Sequence, residues 1–512
     1  MDIDGGCMLS KAVSLALHGI SAVKVDIEVD IIRGLPNLTI VGLPDSVIRE
    51  SKDRIRSAVE NSGYEFPPRN FVVNLAPAGF RKQGANFDLP IALSILQSTG
   101  QISCQMDDVP VVGELSLDGR IKPVRGVISM SIALLKLGYR RIIVPLSNRY
   151  EASAVEGIEI FPVENIKSAI AVLKGEAAPY RPEPVTVEKP VITYDFSDVK
   201  GQETARRGIE IAAAGRHNIL LYGAPGSGKT MLARRISSIL PELQMEEAIE
   251  VTMIHSASGS LPEGQGLIRI PPFRSPHHTA SEAAIVGGGI NPGAGEVSLA
   301  HNGVLFLDEF VEFNNNAIQS LRQPLEDRKI TVARVAGTVT FPADFMLVAA
   351  SNPCQCGYLF DDEIKCSCPP AKISRYYHKI AGPILDRIDI EVLVNRVPYR
   401  DLLDNGRYES SDAIRDRVVK AVEIQKTRFK DSRTAFNSRM ANSEVKRFCR
   451  IRSEDEIFFE EAVKKLHISA RTFFKILKVS RTIADLDNCI EIRREHLLEA
   501  ISYKNLYRNY NL

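Results

Sequence analysis

Long hydrophobic runs are missing from this 512-residue chain. Apolar stretches such as Ile219–Tyr222 and Val304–Leu307 are far too short to cross a bilayer. The N-terminus lacks a basic segment followed by an apolar one, so no secretory signal is read there and a cytoplasmic location is expected. An excess of one charge is missing too. Lys and Arg number 64 against 63 Asp and Glu, a net charge of +1. That balance argues neither for nor against nucleic acid and makes any basic surface a local one. No internal repeat or low-complexity segment is visible. Nor is there a distributed disulfide framework. Of eight cysteines, four crowd into Cys354–Cys368, while Cys7, Cys104, Cys449 and Cys489 are scattered. In a long chain without an export signal, that pattern points to a metal site.

What is present is ordinary globular composition, 44% hydrophobic and 25% charged, in a length suited to about three domains. Residues 1–175 alternate strand-like and helical stretches. Val23–Ile31, Asn70–Leu75 and Arg141–Pro145 read as strands, and Ile91–Gln97 begins a helix. Prolines at 179, 182, 184 and 190 mark 176–192 as a linker. Residues 193–397 carry a nucleotide-binding α/β pattern. Residues 398–512 are charged, nearly free of glycine and helix-periodic, the signature of a helical C-terminal domain.

The apolar run Ile219–Tyr222 leads into Gly223-Ala224-Pro225-Gly226-Ser227-Gly228-Lys229-Thr230, and a helix-forming run starts at Met231. This is the strand, glycine loop and helix of a phosphate-binding loop. The glycines let backbone N–H groups face a phosphate, and the helix N-terminus adds a favourable dipole. Lys229 brings a cation to the β- and γ-phosphates of ATP, and Thr230 offers a hydroxyl to Mg²⁺. Downstream, Gly303–Leu307 reads as a buried strand delivering Asp308 and Glu309. Asp308 suits the Mg²⁺ shell, and Glu309 suits a general base polarising the attacking water. The alternative is two solvated acids at a strand end. A third apolar run, Phe345–Ala350, ends at Ser351-Asn352-Pro353. There Asn352 is placed to orient water or sense the γ-phosphate, whereas an isolated Asn-Pro would be a turn.

Cys354-Gln355-Cys356 and Cys366-Ser367-Cys368 offer four thiols for one closed, tetrahedral, structural Zn²⁺ site. Their C-x-C spacing is tighter than usual, and short disulfides or free thiols are the alternatives. Lys329–Arg334 and Thr338–Phe341 flank Val335-Ala336-Gly337 as a hairpin. Arg334 is its candidate for a DNA phosphate, with a solvated edge as the plain alternative. Adjacent His277 and His278 cannot both aim at one ion without a bent backbone, so hydrogen-bonding or core roles are preferred for them and for His301.

Several long stretches resemble the AAA+ superfamily, in the branch of magnesium-chelatase ATPase subunits and MCM helicases, and within it the ComM/YifB group. They are Pro271–Ser281, Gly287–Gly289, Glu296–Glu309, Ala350–Gly357, Gly382–Asp389, Ser469–Thr472 and Leu477–Asp485. The resemblance spans essentially the whole chain. It implies a P-loop AAA+ domain with a helical lid, assembled as a homo-oligomeric, hexameric ring. It implies an arginine supplied in trans, for which Arg387 is the candidate; a salt bridge to Asp386 or Asp389 is the alternative role. It also implies that Arg471 is a second sensor touching the γ-phosphate, rather than a helix-end arginine, and that Val199 packs on the adenine. It places the His255–Ala300 stretch in a pore-facing insertion. It implies DNA, single-stranded or branched, as partner and branch migration in recombination or natural transformation as function. A chelatase-type motor acting on a protein partner is the second reading.

Phe87–Ala92 and Val112–Gly126 resemble the Lon-protease-like, ribosomal-S5-like α/β domain. The serine position of that domain falls at Ile91 and the lysine position near Ile128, with Ser94 and Lys122 out of register. No peptidase activity is expected from such a site.

Overall fold

The computed structural model describes residues 9–182, 194–288, 293–334, 337–361, 363–380, 384–398, 408–432 and 434–504. Most of the expected linker, 183–192, therefore lies outside the described residues. So does Gly289, and so does the tip of the hairpin, 335–336.

The N-terminal part is built on a four-stranded sheet of Ser10–His18, Ser21–Ile32, Asn37–Val41 and Asn70–Ala76, in the order first, second, fourth, third. The second strand shows why it forms. Val25, Ile27 and Val29 are fully buried, while Asp26 and Glu28 alternate with them on the wetter face. Helix Asp88–Ser98 lies against this sheet, and of its eleven residues only Gln97 is not buried. A parallel pair, Arg141–Pro145 with Glu159–Val163, extends the domain.

The next part is a five-stranded, all-parallel sheet in the order Phe273–Arg274, Val304–Leu307, Met346–Ser351, Ile219–Tyr222, Ile390–Leu393. Strand alternation divides its side chains between two cores. Ile219, Leu221, Val304, Phe306, Met346 and Val348 join one core, which continues into the C-terminal helices through Ile414, Val418, Ile476 and Ile483. Leu220, Tyr222, Leu305, Leu307 and Leu347 join the other. The helical region comprises Ser411–Arg428, Asn442–Phe448, Ser453–Lys465, Ala470–Leu486 and Arg494–Ser502.

Two small projections leave the sheet. Gly287–Gly288 pairs with Gly293–Ala294 in the stretch read as an insertion. Lys329–Arg334 pairs with Gly337–Pro342, with Arg334 opposite Gly337. The Arg334 side chain lies outside the described residues. The second projection meets the N-terminal domain closely: a methyl added at Gly19 would sit 2.4 Å from Val339 Cγ1.

Candidate active site

In a parallel sheet all strands point the same way, so loops after the strands gather along one edge. Here that carboxyl edge collects the phosphate loop after Tyr222, Asp308 after Leu307, and Asn352 after Ser351. Gly228 is in the left-handed region at φ 95°, which an L side chain adopts only with strain, and the helix Lys229–Ile239 starts immediately after it. Lys229 is nine-tenths buried. Its Nζ donates to Gly223 O at 2.7 Å, Ala224 O at 2.9 Å and Asn352 Oδ1 at 3.2 Å. Burial lowers its pKa, against the pull of Asp308 and Glu309. A buried cation held on neutral carbonyls is poised to prefer an anion. The Ser227 hydroxyl beside it is buried and has no hydrogen-bond partner among the described residues. These groups fit the phosphates of a nucleotide. The Thr230 hydroxyl donates to Asp308 Oδ2 at 2.7 Å, bringing together a hydroxyl and a carboxylate oxygen suited to Mg²⁺.

Glu309 has φ 50° and ψ 46°, a strained conformation for a residue with a side chain. Its carboxylate lies 3.4 Å from His278 Nδ1. The sequence had offered His278 only a generic hydrogen-bonding role; the adjacent histidines were the one signal. His277 instead contacts Thr279 Oγ1 at 2.8 Å. His301 is elsewhere, buried between Glu250 at 3.0 Å and the Asp344 N–H at 3.0 Å. Val199 is fully buried in the core that holds Phe196, Ala205 and Ile209. The Gln202 side chain reaches the phosphate loop, donating to Ser227 O at 3.3 Å, and it also donates to Asn395 O.

Arg387 and Arg471 come together at the opposite edge. Asn218, just before the phosphate-loop strand, donates its side-chain amide to Arg387 O at 2.9 Å, and its backbone N–H to Asp389 Oδ2 at 3.2 Å. A four-residue strand, about 13 Å long, separates that amino edge from the phosphate loop. The Arg387 guanidinium pairs with Glu326. Arg471 Nη2 is 3.3 Å from the same Glu326 oxygen, and its Nη1 is 3.4 Å from Asp386. Both arginines line a cavity of about 400 Å³ with Arg439, Lys475 and Lys478. Burial lowers Lys475 to about 8. Burial works against ionisation of Asp389 as well, but Lys475 and His217 hold its carboxyl well below the usual range.

The four cysteines follow Asn352 directly. Cys354, Cys356 and Cys366 sulfurs are 3.3–3.7 Å apart, and all four sulfurs lie within 4.8 Å of one another. Sulfurs bound at roughly 2.3 Å to a tetrahedral zinc are about 3.8 Å apart, so the set fits that ion. Their loop leans on the phosphate loop: a methyl at Gly357 would lie 2.5 Å from Pro225 Cδ.

In the N-terminal domain, Ile91 and Ile128 are both fully buried. Ser94 Oγ is committed to Pro90 O at 2.8 Å, and the exposed Lys122 lies 3.9 Å from Glu114.

The chain matches the model of "Magnesium chelatase, subunit ChlI" over residues 195–402. "Subunit ChlI of Mg-chelatase" matches over 27–148 and "Magnesium chelatase, subunit ChlI C-terminal" over 408–504. It is 42% identical over 496 residues to the uncharacterized protein YifB of Escherichia coli (strain K12), covering 96% of each chain. It is 40% identical over 504 residues to the competence protein ComM of Haemophilus influenzae, covering 97% of each. The chain belongs to the ComM/YifB family of magnesium-chelatase-like AAA+ ATPases. A further similarity, 29% identity over 141 residues to Lon protease 2 of Bacillus subtilis, covers 26% of each chain and fits the Lon-like domain of this family. As a ComM/YifB-type chain it is an ATP-binding AAA+ protein with a helical C-terminal region. Among the described residues, no helix is long and apolar enough to cross a membrane.

Proposed function

We propose that this chain works as an ATP-hydrolysing ring in which each nucleotide is held by the carboxyl edge of one subunit and completed by Arg387 and Arg471 of the next. One observation carries the reading: both arginines sit at the amino edge, a strand's length from Lys229 of their own chain. They serve a phosphate only where another subunit presents one. In the site so formed, Lys229 holds the β- and γ-phosphates, and Glu309 takes the proton of the attacking water. Asn352, already bonded to Lys229, orients that water. Thr230 and Asp308 would hold Mg²⁺, which neutralises charge on the phosphates when bound. Val199 lies beneath the adenine end. A Zn²⁺ on Cys354, Cys356, Cys366 and Cys368 would brace the phosphate loop through Gly357 and Pro225. We assign no peptidase step to the N-terminal domain, because isoleucines occupy the nucleophile and base positions. Domain boundaries at 175/176, 192/193 and 397/398 suit this division of labour.

The substrate of the ring is DNA, single-stranded or branched, and its work is branch migration in recombination or natural transformation. The hairpin with Arg334 at the end of its first strand supports this, as does the similarity to a protein named for competence. The test is ATP turnover with and without single-stranded and branched DNA, beside Glu309→Gln. Stimulation and branch movement, both lost in the variant, support the reading. Absence of DNA binding at low salt refutes it. The matching models are named for magnesium chelatase, which favours a second reading, a chelatase-type ATPase motor whose partner we take to be a protein; turnover unresponsive to DNA selects it.

A further inference from the structure

Glu326 is the point where the two arginines meet. It sits in the short helix Arg322–Asp327, and the hairpin strand Lys329–Arg334 begins three residues later. One oxygen of its carboxylate faces both guanidinium groups, that of the buried Arg387 and that of the half-exposed Arg471. Two cations on one carboxylate oxygen is the charge arrangement a terminal phosphate would impose. The next acid, Asp386, takes the other end of Arg471.

We propose that Glu326 is a stand-in for the γ-phosphate of a neighbouring subunit: it holds Arg387 and Arg471 until a nucleoside triphosphate on the next chain competes for them. This rests on the ring reading above and deepens it. The exchange costs the Glu326 contacts, so a subunit facing an empty or diphosphate-loaded neighbour keeps its arginines at home. Once the arginines transfer, the end of Arg322–Asp327 loses its ionic anchor next to the hairpin. The state of one nucleotide is thereby passed to the projecting element of the adjacent chain. Glu326 is a positioning residue; it touches no nucleotide itself.

The test compares full-length wild type with Glu326→Gln, Arg387→Ala and the double variant. Self-association is measured by sedimentation in a slowly hydrolysed ATP analogue and in ADP. Removing the competing charge is expected to tighten association roughly five- to tenfold in the analogue, leave it within error in ADP, and have a smaller effect when Arg387 is absent and only Arg471 remains to be released. A merely structural glutamate would shift both nucleotide states alike and lower the melting midpoint. Equal association of Glu326→Gln and wild type in the analogue overturns the inference, while the ring reading stands if Arg387→Ala still abolishes turnover. A wild type that ignores nucleotide in its association, or an active Arg387→Ala, defeats both.

Discussion

At the carboxyl edge of the central sheet, Lys229 bonds to Asn352 and Thr230 bonds to Asp308, so the groups proposed to face the nucleotide already touch in pairs. At the amino edge, Arg387 and Arg471 are neutralised by Glu326 and Asp386, acids that belong to no nucleotide. In the proposed ring, one edge serves a nucleotide of its own chain and the other is held by a substitute. On that proposal the difference teaches that chemical completeness and chain completeness diverge: a single subunit would own every group and bring only some of them to one phosphate.

The strongest way to break this contrast is to remove Arg387. Loss of an arginine supplied in trans costs phosphoryl transfer about 10³–10⁵-fold, so Arg387→Ala is expected to bind ATP and turn over at that much lower a rate. Mixing it with Lys229→Ala decides the point. The first variant keeps its carboxyl edge and the second its amino edge, so mixed rings regain part of the activity that neither has alone. Steady-state ATP turnover across mixing ratios measures it. If Arg387 served its own chain, every ratio would stay inactive.

Glu309→Gln probes the other edge with a smaller effect. Loss of a general base costs about 10²–10⁴-fold, and the drop should fall on kcat with ATP affinity nearly unchanged. Equal loss in affinity would mean that Glu309 supports the nucleotide rather than the water.

What could be seen beforehand follows the same divide. The phosphate loop, Asp308–Glu309 and Asn352 each sit at the end of an apolar run, so local pattern suffices to place them on strand ends. Placing Arg387 and Arg471 needs strand order and polarity. Ile390–Leu393 lies beside Ile219–Tyr222 across a long stretch of sequence, and no spacing rule announces that pairing. Glu326, and Glu309 as the partner of His278, were missed for the same reason, since only the folded chain brings these residues together. In the N-terminal sheet, Ser21–Ile32 betrays itself by alternation. Its partner Ser10–His18 has a run of five buried residues and gives no such signal.

Metal removal sharpens the contrast at the carboxyl edge alone. If Zn²⁺ braces the Gly357–Pro225 contact, Cys356→Ser with Cys366→Ser should lose bound zinc by native mass spectrometry. KM for ATP should then rise roughly tenfold, in the range for losing support behind a site, while Arg387-dependent association in saturating analogue persists. Reduced, freshly purified wild type without zinc would end this account of the cysteines.

The smallest effect concerns how the amino edge is tied to the rest of the molecule. Helix Met245–Ser258 contacts that edge through Glu247 to Arg216 and Glu250 to His301. Near its far end, Ser256 Oγ donates to Glu151 Oε1 at 2.5 Å and accepts from Gly126 N at 2.7 Å. Glu151 belongs to the N-terminal domain, is buried, and takes further donors from Ile128 N and Asn148. Burial raises its pKa despite those bonds. A carboxyl whose folded pKa exceeds its unfolded one contributes least stability when ionised, so stability falls as pH rises through the folded value. Ser256→Ala removes a donor to the ionised form and raises that value further. The melting midpoint of Ser256→Ala should therefore trail wild type by an amount corresponding to about 1–2 kcal/mol at pH 8, and by less at pH 5, where the carboxyl is closer to neutral in both. A deficit independent of pH would show that the hydroxyl serves Gly126 rather than Glu151. The tie between the arginine edge and the N-terminal domain would then be a backbone contact and not an ionic one.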